Sequence, residues 1–421
     1  MPDSFISYVG ENAADHLVDY LKTQKFEIIT LVADKNTYIA LGKQVEDTLR
    51  AKGFPVEVVV LPGEQIKADE ISVVQTLLPV DLRERMFISV GSGTITDVVR
   101  FASYRNKSNF ISMPTAASVD GFGASGSAMT IRKLKQTIIS RAPLAVFADV
   151  ETLSKAPRLL TASGFADMFG KFTALADWRL GNILIDEKYL PEVAQRSRQA
   201  VDDCVQRANH LGEDWKGDVS TLMQALLDEG YCMIDAGNTR PASGSEHQLS
   251  HYWEMILERE DRPAVFHGVK VGIGSIFIAR YYQFIRSLSR QQAAERFQRS
   301  SLPDRDKEID LIQSGYGVIT DQIVKAQARY LDMTPADYEN LKQRILNNWD
   351  TIQEIAAAVP EPETIRDLLQ KVGSPTEPSA IGLNDKDMRD AIIYGRYIRT
   401  AFTVVHVSRI LGVQSILEDW N

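Results

Sequence analysis

The chain of 421 residues is poor in cysteine, with Cys204 and Cys232 its only two. Two thiols cannot build a disulfide framework or a four-thiolate zinc site, so they read as free thiols in a reducing cytoplasm. Long hydrophobic runs are missing too. No stretch reaches the roughly 18 uninterrupted apolar residues of a spanning helix. The opening MPDSFISYVGENAADHL lacks the basic start and apolar centre of a secretory signal. Positive charge is in deficit, with 47 Lys and Arg against 56 Asp and Glu and a formal charge of −9. A duplex-binding protein presents a cationic face, so nucleic acid is disfavoured as a partner. The expectation is a cytoplasmic chain without membrane insertion.

What is present is material for packed cores, 44% hydrophobic and 24% charged residues. That excludes a largely disordered or collagen-like chain. The length exceeds what one core commonly serves, so two domains are expected. In the first 150 residues, short β-branched runs at 28–33, 56–61, 86–90 and 110–113 alternate with helical patterns. Continuous apolar strands separated by helices predict βαβ units and a parallel sheet covered on both faces. Hairpin-like pieces follow near 125–149 and end in a short run at 145–148. Beyond about 155 the strand signal fades. Helical spacing then marks 163–180, 190–211, 219–236, 243–257, 268–288, 319–330, 335–358 and 385–411. The polar stretch 289–310 reads as a surface segment, and 373–378 as a turn between helices. The domains expected are 1–155, α/β and Rossmann-like, and 156–421, all-α.

Histidine is scarce, yet three of the six, His247, His251 and His267, fall within 21 residues. On a helix, His247 and His251 project from one face. Two imidazoles there and a third on a neighbouring helix suit a divalent ion. Ordinary helix-surface histidines are the plain alternative. The zinc-protease motif needs Glu after its first His; Gln248 stands there instead. Asp167 sits among small and apolar residues, an odd place for a charge unless it is paired or bound to a cation; an ion pair with Lys171 at i+4 is the other reading. Gly91-Ser92-Gly93-Thr94-Ile95-Thr96-Asp97 follows a predicted strand and opens a helix, where glycines and free N–H groups let backbone approach a phosphate. It is not GxGxxG, because Thr96 replaces the third glycine. A second polar turn, 114–123, follows the fourth predicted strand. Both turns fall at strand carboxyl ends, where open α/β sheets bind ligands.

Six ordered motifs carry a resemblance: GSGTITD at 91–97, PTAASVDGF at 114–122, FADVETLSKAP at 147–157, SGFADMFGKFTALADW at 163–178, SGSEHQLSH at 243–251 and FHG at 266–268. Together they resemble the dehydroquinate synthase-like and iron-containing alcohol dehydrogenase superfamily, and within it the sn-glycerol-1-phosphate dehydrogenase family in its bacterial form. The resemblance spans roughly 25 to 285. It implies a Rossmann-like N-terminal domain, a helical C-terminal domain, an NAD(H) or NADP(H) cofactor, and one divalent metal (zinc, nickel or iron) on Asp167, His247 and His267. His251 falls where the family has a substrate-contacting histidine, and Asp120 where it has a substrate-binding carboxylate. Gly93 to Asp97, with Gly91, and Thr115-Ala116-Ala117-Ser118 match the nucleotide-contacting loops. The family's nucleotide-contacting Ser four residues after Asp120 is Ala124 here, and Ser125 beside it is the candidate substitute.

The implied chemistry is reduction of dihydroxyacetone phosphate to sn-glycerol 1-phosphate. The metal polarises the carbonyl, nicotinamide supplies hydride at C2, and His251 relays a proton or anchors a substrate oxygen. Asp167 and His251 are the groups expected at the reacting centre, with Lys171 holding substrate phosphate. Asp34, ending the first predicted strand, is placed to accept hydrogen bonds from ribose hydroxyls and repel a 2′-phosphate, or serves only as a helix cap. The partners expected are a small phosphorylated polyol or ketone and further copies of the chain. The competing activities are a dehydrogenase of unphosphorylated polyols and a dehydroquinate synthase-type lyase. A nucleotide-binding protein without catalysis predicts damaged metal ligands, and all three are intact.

Overall fold

The computed structural model describes residues 5–132 and 134–413. Its main sheet has six strands: β1 (Ile6–Gly10), β2 (Ile28–Asp34), β3 (Val56–Leu61), β4 (Arg85–Gly91), β5 (Asn109–Pro114) and β8 (Ala145–Asp149). They lie in the order β1-β8-β5-β4-β2-β3, every neighbouring pair parallel. β6 (Gly126–Ile131) and β7 (Leu134–Ile139) form a separate antiparallel hairpin, as the 125–149 pattern predicted.

The sheet's apolar runs are continuous because both faces are covered. Ile29, Leu31 and Ala33 of β2 pack with Ile88 and Val90 of β4 and with Leu17 and Leu49 of two helices. Val32, between them in sequence, turns to the opposite cluster with Phe87, Phe110, Val98 and Val99. This is the two-residue pleat at work, and each such side chain contributes about 1.5–3 kcal/mol by leaving water. β1 was not legible as a strand: ISYVG is short, mixed in polarity and half-exposed. Its place comes from register with β8, and the Tyr231 hydroxyl donates to Phe5 O at 2.7 Å beside it.

Contacts group the chain into two compact units, 1–168 with 199–238 and 169–198 with 239–421. This grouping is discontinuous and does not coincide with a single cut at 155/156. All strands belong to the first unit, and among described residues the second contains only helices and turns. Several predicted helices break. The 163–180 segment becomes Arg158–Phe169 and Lys171–Ile185, divided at Gly170. The 335–358 segment becomes Pro335–Asn347 and Trp349–Ala357, and 385–411 keeps helix only at Asp385–Tyr394 and Val404–Ile410, apart from a 3-10 turn. The 289–310 stretch is corrected from surface segment to helices Arg290–Arg299 and the start of Arg305–Tyr316. Ser289 caps the first in a reciprocal box with Gln292, and Ala293 and Phe297 bury its inner face. No helix among the described residues is long and apolar enough to cross a membrane.

Candidate active site

In the first unit, three candidate loops share one edge of the sheet because their strands are parallel. Asp34 ends β2, Gly91 ends β4 and Pro114 ends β5, with Gly91 in register with Pro114. From β2 the chain leaves to one side for β3 and returns to the other for β4. The strand order therefore reverses between β2 and β4, the usual crevice for a nucleotide.

The helix Gly93–Arg105 starts at this edge. Ile95 and Thr96 are buried, and Thr96 Oγ1 lies 3.3 Å from Ser112 Oγ. Asp97 accepts from Arg100 Nη1 at 2.7 Å, while that buried guanidinium also donates to the Gly121, Phe122 and Gly126 carbonyls. Ile95 and Thr96 serve the packing of the turn, while Ser92, Gly93, Thr94 and Asp97 keep partial exposure. Asp34 caps its own helix: Oδ1 accepts from Thr37 N at 2.8 Å, and Asp34 N donates to Thr37 Oγ1 at 3.0 Å. One carboxylate oxygen is thus engaged in the cap. Ser125 is exposed, with its carbonyl accepting from Ser140 N.

The loop after β5 is sewn to the helix Arg158–Phe169. A Cβ on Gly164 would lie 2.1 Å from Ala117 O, so only glycine permits this approach. Ser163 Oγ donates to Ser118 O at 3.2 Å. Thr115, Ala116, Ala117 and Ser118 are all buried, with Thr115 N bonded to Gly91 O. Two residues further along the loop, Asp120 N donates to Asp167 Oδ2 at 3.1 Å. The structure therefore joins the backbone of Asp120 to the Asp167 carboxylate, and Asp167 is fully buried.

In the second unit the three histidines meet. Ring centroids lie 6.0 Å apart for His247 and His251, 5.1 Å for His247 and His267, and 5.5 Å for His251 and His267. His247 and His251 project from the helix Ser245–Arg259, and His267 opens the helix His267–Ser287. Gly274 lets these helices touch, since a Cβ there would lie 2.8 Å from Glu246 O. His251, Glu254 and His267 also place potential ligand atoms within 4.8 Å of one another.

Glu246, unassigned from the sequence, orients the cluster. Its Oε1 lies 2.8 Å from His247 Nδ1 and accepts from Gly244 N at 2.6 Å, while Oε2 accepts from Thr173 Oγ1 at 2.6 Å. With Glu246 ionised its oxygens only accept, so Nδ1 is the donor and the His247 ring lone pair is on Nε2. Burial raises the Glu246 carboxyl above its ordinary range, against these hydrogen bonds and the nearby Lys171 charge. Asp177 is a second buried hub. It receives Ser245 N and Oγ at 2.8 and 2.5 Å, Tyr282 Oη at 2.6 Å and Val404 N at 2.7 Å. Burial first, then the charge of Glu246, pushes Asp177 up to about 6. Lys171 itself is fully buried. His251 is held well below the ordinary imidazole range, chiefly by burial, with Arg399 and His267 adding and Glu254 opposing.

Comparison with known proteins gives this site its context. The family model described as iron-containing alcohol dehydrogenase matches residues 8–157. A glycerol-1-phosphate dehydrogenase of Geobacillus thermodenitrificans, named for NAD(P)+, is 35% identical over 381 residues, covering 89% of this chain and 85% of the relative. The chain belongs to the glycerol-1-phosphate dehydrogenase family. A Bacillus subtilis member is 38% identical over 278 residues, 65% of this chain and 71% of that one. A sulfoacetaldehyde reductase from Bifidobacterium kashiwanohense, solved with NAD+, shares the fold with a TM-score of 0.63 at 15% identity, covering 99% of this chain and 98% of that one. Family membership agrees with the two-part α/β and helical architecture and with a metal-dependent, nucleotide-using oxidoreductase.

Proposed function

We propose that this enzyme reduces dihydroxyacetone phosphate to sn-glycerol 1-phosphate, reversibly, with NAD(H) or NADP(H) and a divalent metal. The observation that carries the reading is the oriented three-histidine cluster in a chain of this family. Asp167, His247 and His267 offer one carboxylate oxygen and two imidazole nitrogens, a donor set that suits zinc, nickel or iron. A bound ion would supply Lewis acidity, and a bound nicotinamide would supply the hydride chemistry.

The chain's own groups do the rest. Glu246 holds the His247 tautomer, and Asp177 fixes the start of the helix that carries it. His251, kept neutral, anchors a substrate oxygen, and Asp120 takes a substrate hydroxyl. The turn at Gly91–Thr94 and the loop Thr115–Ser118 take the nucleotide, with Ser125 as the substitute contact at the Ala124 position. The enzyme works as a homo-oligomer in the cytoplasm.

Metal analysis of protein purified without chelator tests the assignment. Stoichiometric metal in the parent, and its loss in Asp167→Ala and in His267→Ala, is expected. Retention of stoichiometric metal in both variants overturns the ligand set.

A further inference from the structure

Between the helices Asp385–Tyr394 and Val404–Ile410 the chain makes a 3-10 turn and then a bend that carries Arg399. This stretch is built rather than loose. The Gln327 side chain, 2% exposed, donates to both Tyr397 O and Arg399 O at 2.9 Å, and Tyr330 Oη donates to Thr400 O at 2.9 Å. The clamp presents the Arg399 guanidinium to the histidine cluster, with Nη2 3.1 Å from His251 Nε2.

Arg399 is half-buried, and a guanidinium partly withdrawn from water normally sits against a carboxylate, because an unpaired charge away from water is costly. The neighbours obey that rule: Arg396 and Arg409 share Glu308, and Arg240 takes Glu187. Among the described residues no carboxylate pairs with Arg399, although burial lowers its pKa. One of its five N–H donors goes to His251, leaving a fork that matches two oxygens of a tetrahedral dianion. Lys171, the lysine first expected to take this role, is fully buried and acts on Glu246.

We infer that Arg399 binds the phosphate dianion of the substrate and sets the preference for a phosphorylated ketone over its free form. The inference rests on the function proposed above. It assigns the handling of phosphate to the segment beyond residue 290, outside every motif that carries the family resemblance.

The test compares dihydroxyacetone phosphate with dihydroxyacetone in the parent, Arg399→Gln and Arg399→Lys, all metal-loaded. Arg399→Gln is expected to lose about 100-fold or more in kcat/KM on the phosphorylated ketone relative to its own change on dihydroxyacetone, mainly through KM. Arg399→Lys keeps charge without the fork and falls between. Inorganic phosphate should inhibit dihydroxyacetone reduction by the parent and not by Arg399→Gln. A parental melting temperature and retained stoichiometric metal certify that the variant is folded. An equal loss on both ketones assigns Arg399 to positioning His251 and overturns the inference, as does an unchanged preference in Arg399→Gln. A parent enzyme indifferent to the phosphate sinks the proposed function itself, and with it this inference.

Discussion

Asp34 shows how one side chain can hold two roles. Its Oδ1 caps the short helix after β2, so the cap alternative raised by the sequence is realised. The second oxygen stands at the carboxyl end of β2, beside the point where strand order reverses. Asp34→Gly separates the roles, since glycine is a tolerated cap and costs only a few tenths of a kcal/mol there. The expected outcome is a near-parental melting temperature with a rise in NADPH use relative to NADH in steady-state kinetics. An unchanged cofactor ratio refutes the ribose role. At this scale the sequence showed residues whose chemistry is unusual for their surroundings, such as Asp167 and the clustered histidines. It did not show Glu246 or Asp177 as supports, although both lie inside quoted motifs. Their importance comes from what packs around them, Thr173, Tyr282 and Val404, which lie far away along the chain.

The elements were legible in proportion to how strictly burial dictates their pattern. β2 and β4 are buried almost throughout, so their apolar runs announce them. The edge strand β1 is half-exposed and carries no such run. Helices were found but their ends were not, because apolar spacing persists across a break such as Gly170 or Asn348. The helix Pro362–Lys371 went unread, although Pro362 sits in its first turn and Ile365, Leu368 and Leu369 form its buried face.

One tie between elements makes a prediction about acid. Glu308, on the helix Arg305–Tyr316, accepts from Arg409 Nη1 at 2.8 Å and from Tyr397 Oη at 2.6 Å. Burial pushes its carboxyl up, but Arg409, Tyr397 and Arg396 outweigh this and the net shift is downward. A lowered folded value means that the stabilisation is complete above the ordinary glutamate range and is lost as pH falls through the folded value. Glu308→Gln should therefore cost roughly 3 kcal/mol in urea unfolding at pH 7. That difference should shrink as pH is taken below about 4.5. A gap that stays constant down to the acid limit of folding contradicts the charged role of Glu308.

For the whole molecule, two separately packed units hold different sets of the candidate residues. The first holds the sheet edge, its two polar turns and Asp120 beside Asp167; the second holds the histidines, their carboxylate supports and Arg399. Fold class and family were readable from the order of the motifs, which survives sequence divergence because each motif answers a local steric or electrostatic demand. The grouping of 199–238 with the first unit was not readable, since a helical pattern does not reveal which core its buried face joins. The most direct test of the account is the product formed from dihydroxyacetone phosphate and NAD(P)H by the metal-loaded enzyme, resolved with a stereospecific coupling enzyme. The account predicts sn-glycerol 1-phosphate, with dihydroxyacetone a much poorer substrate. Formation of the mirror-image phosphate, or equal catalytic efficiency on the two ketones, would contradict it.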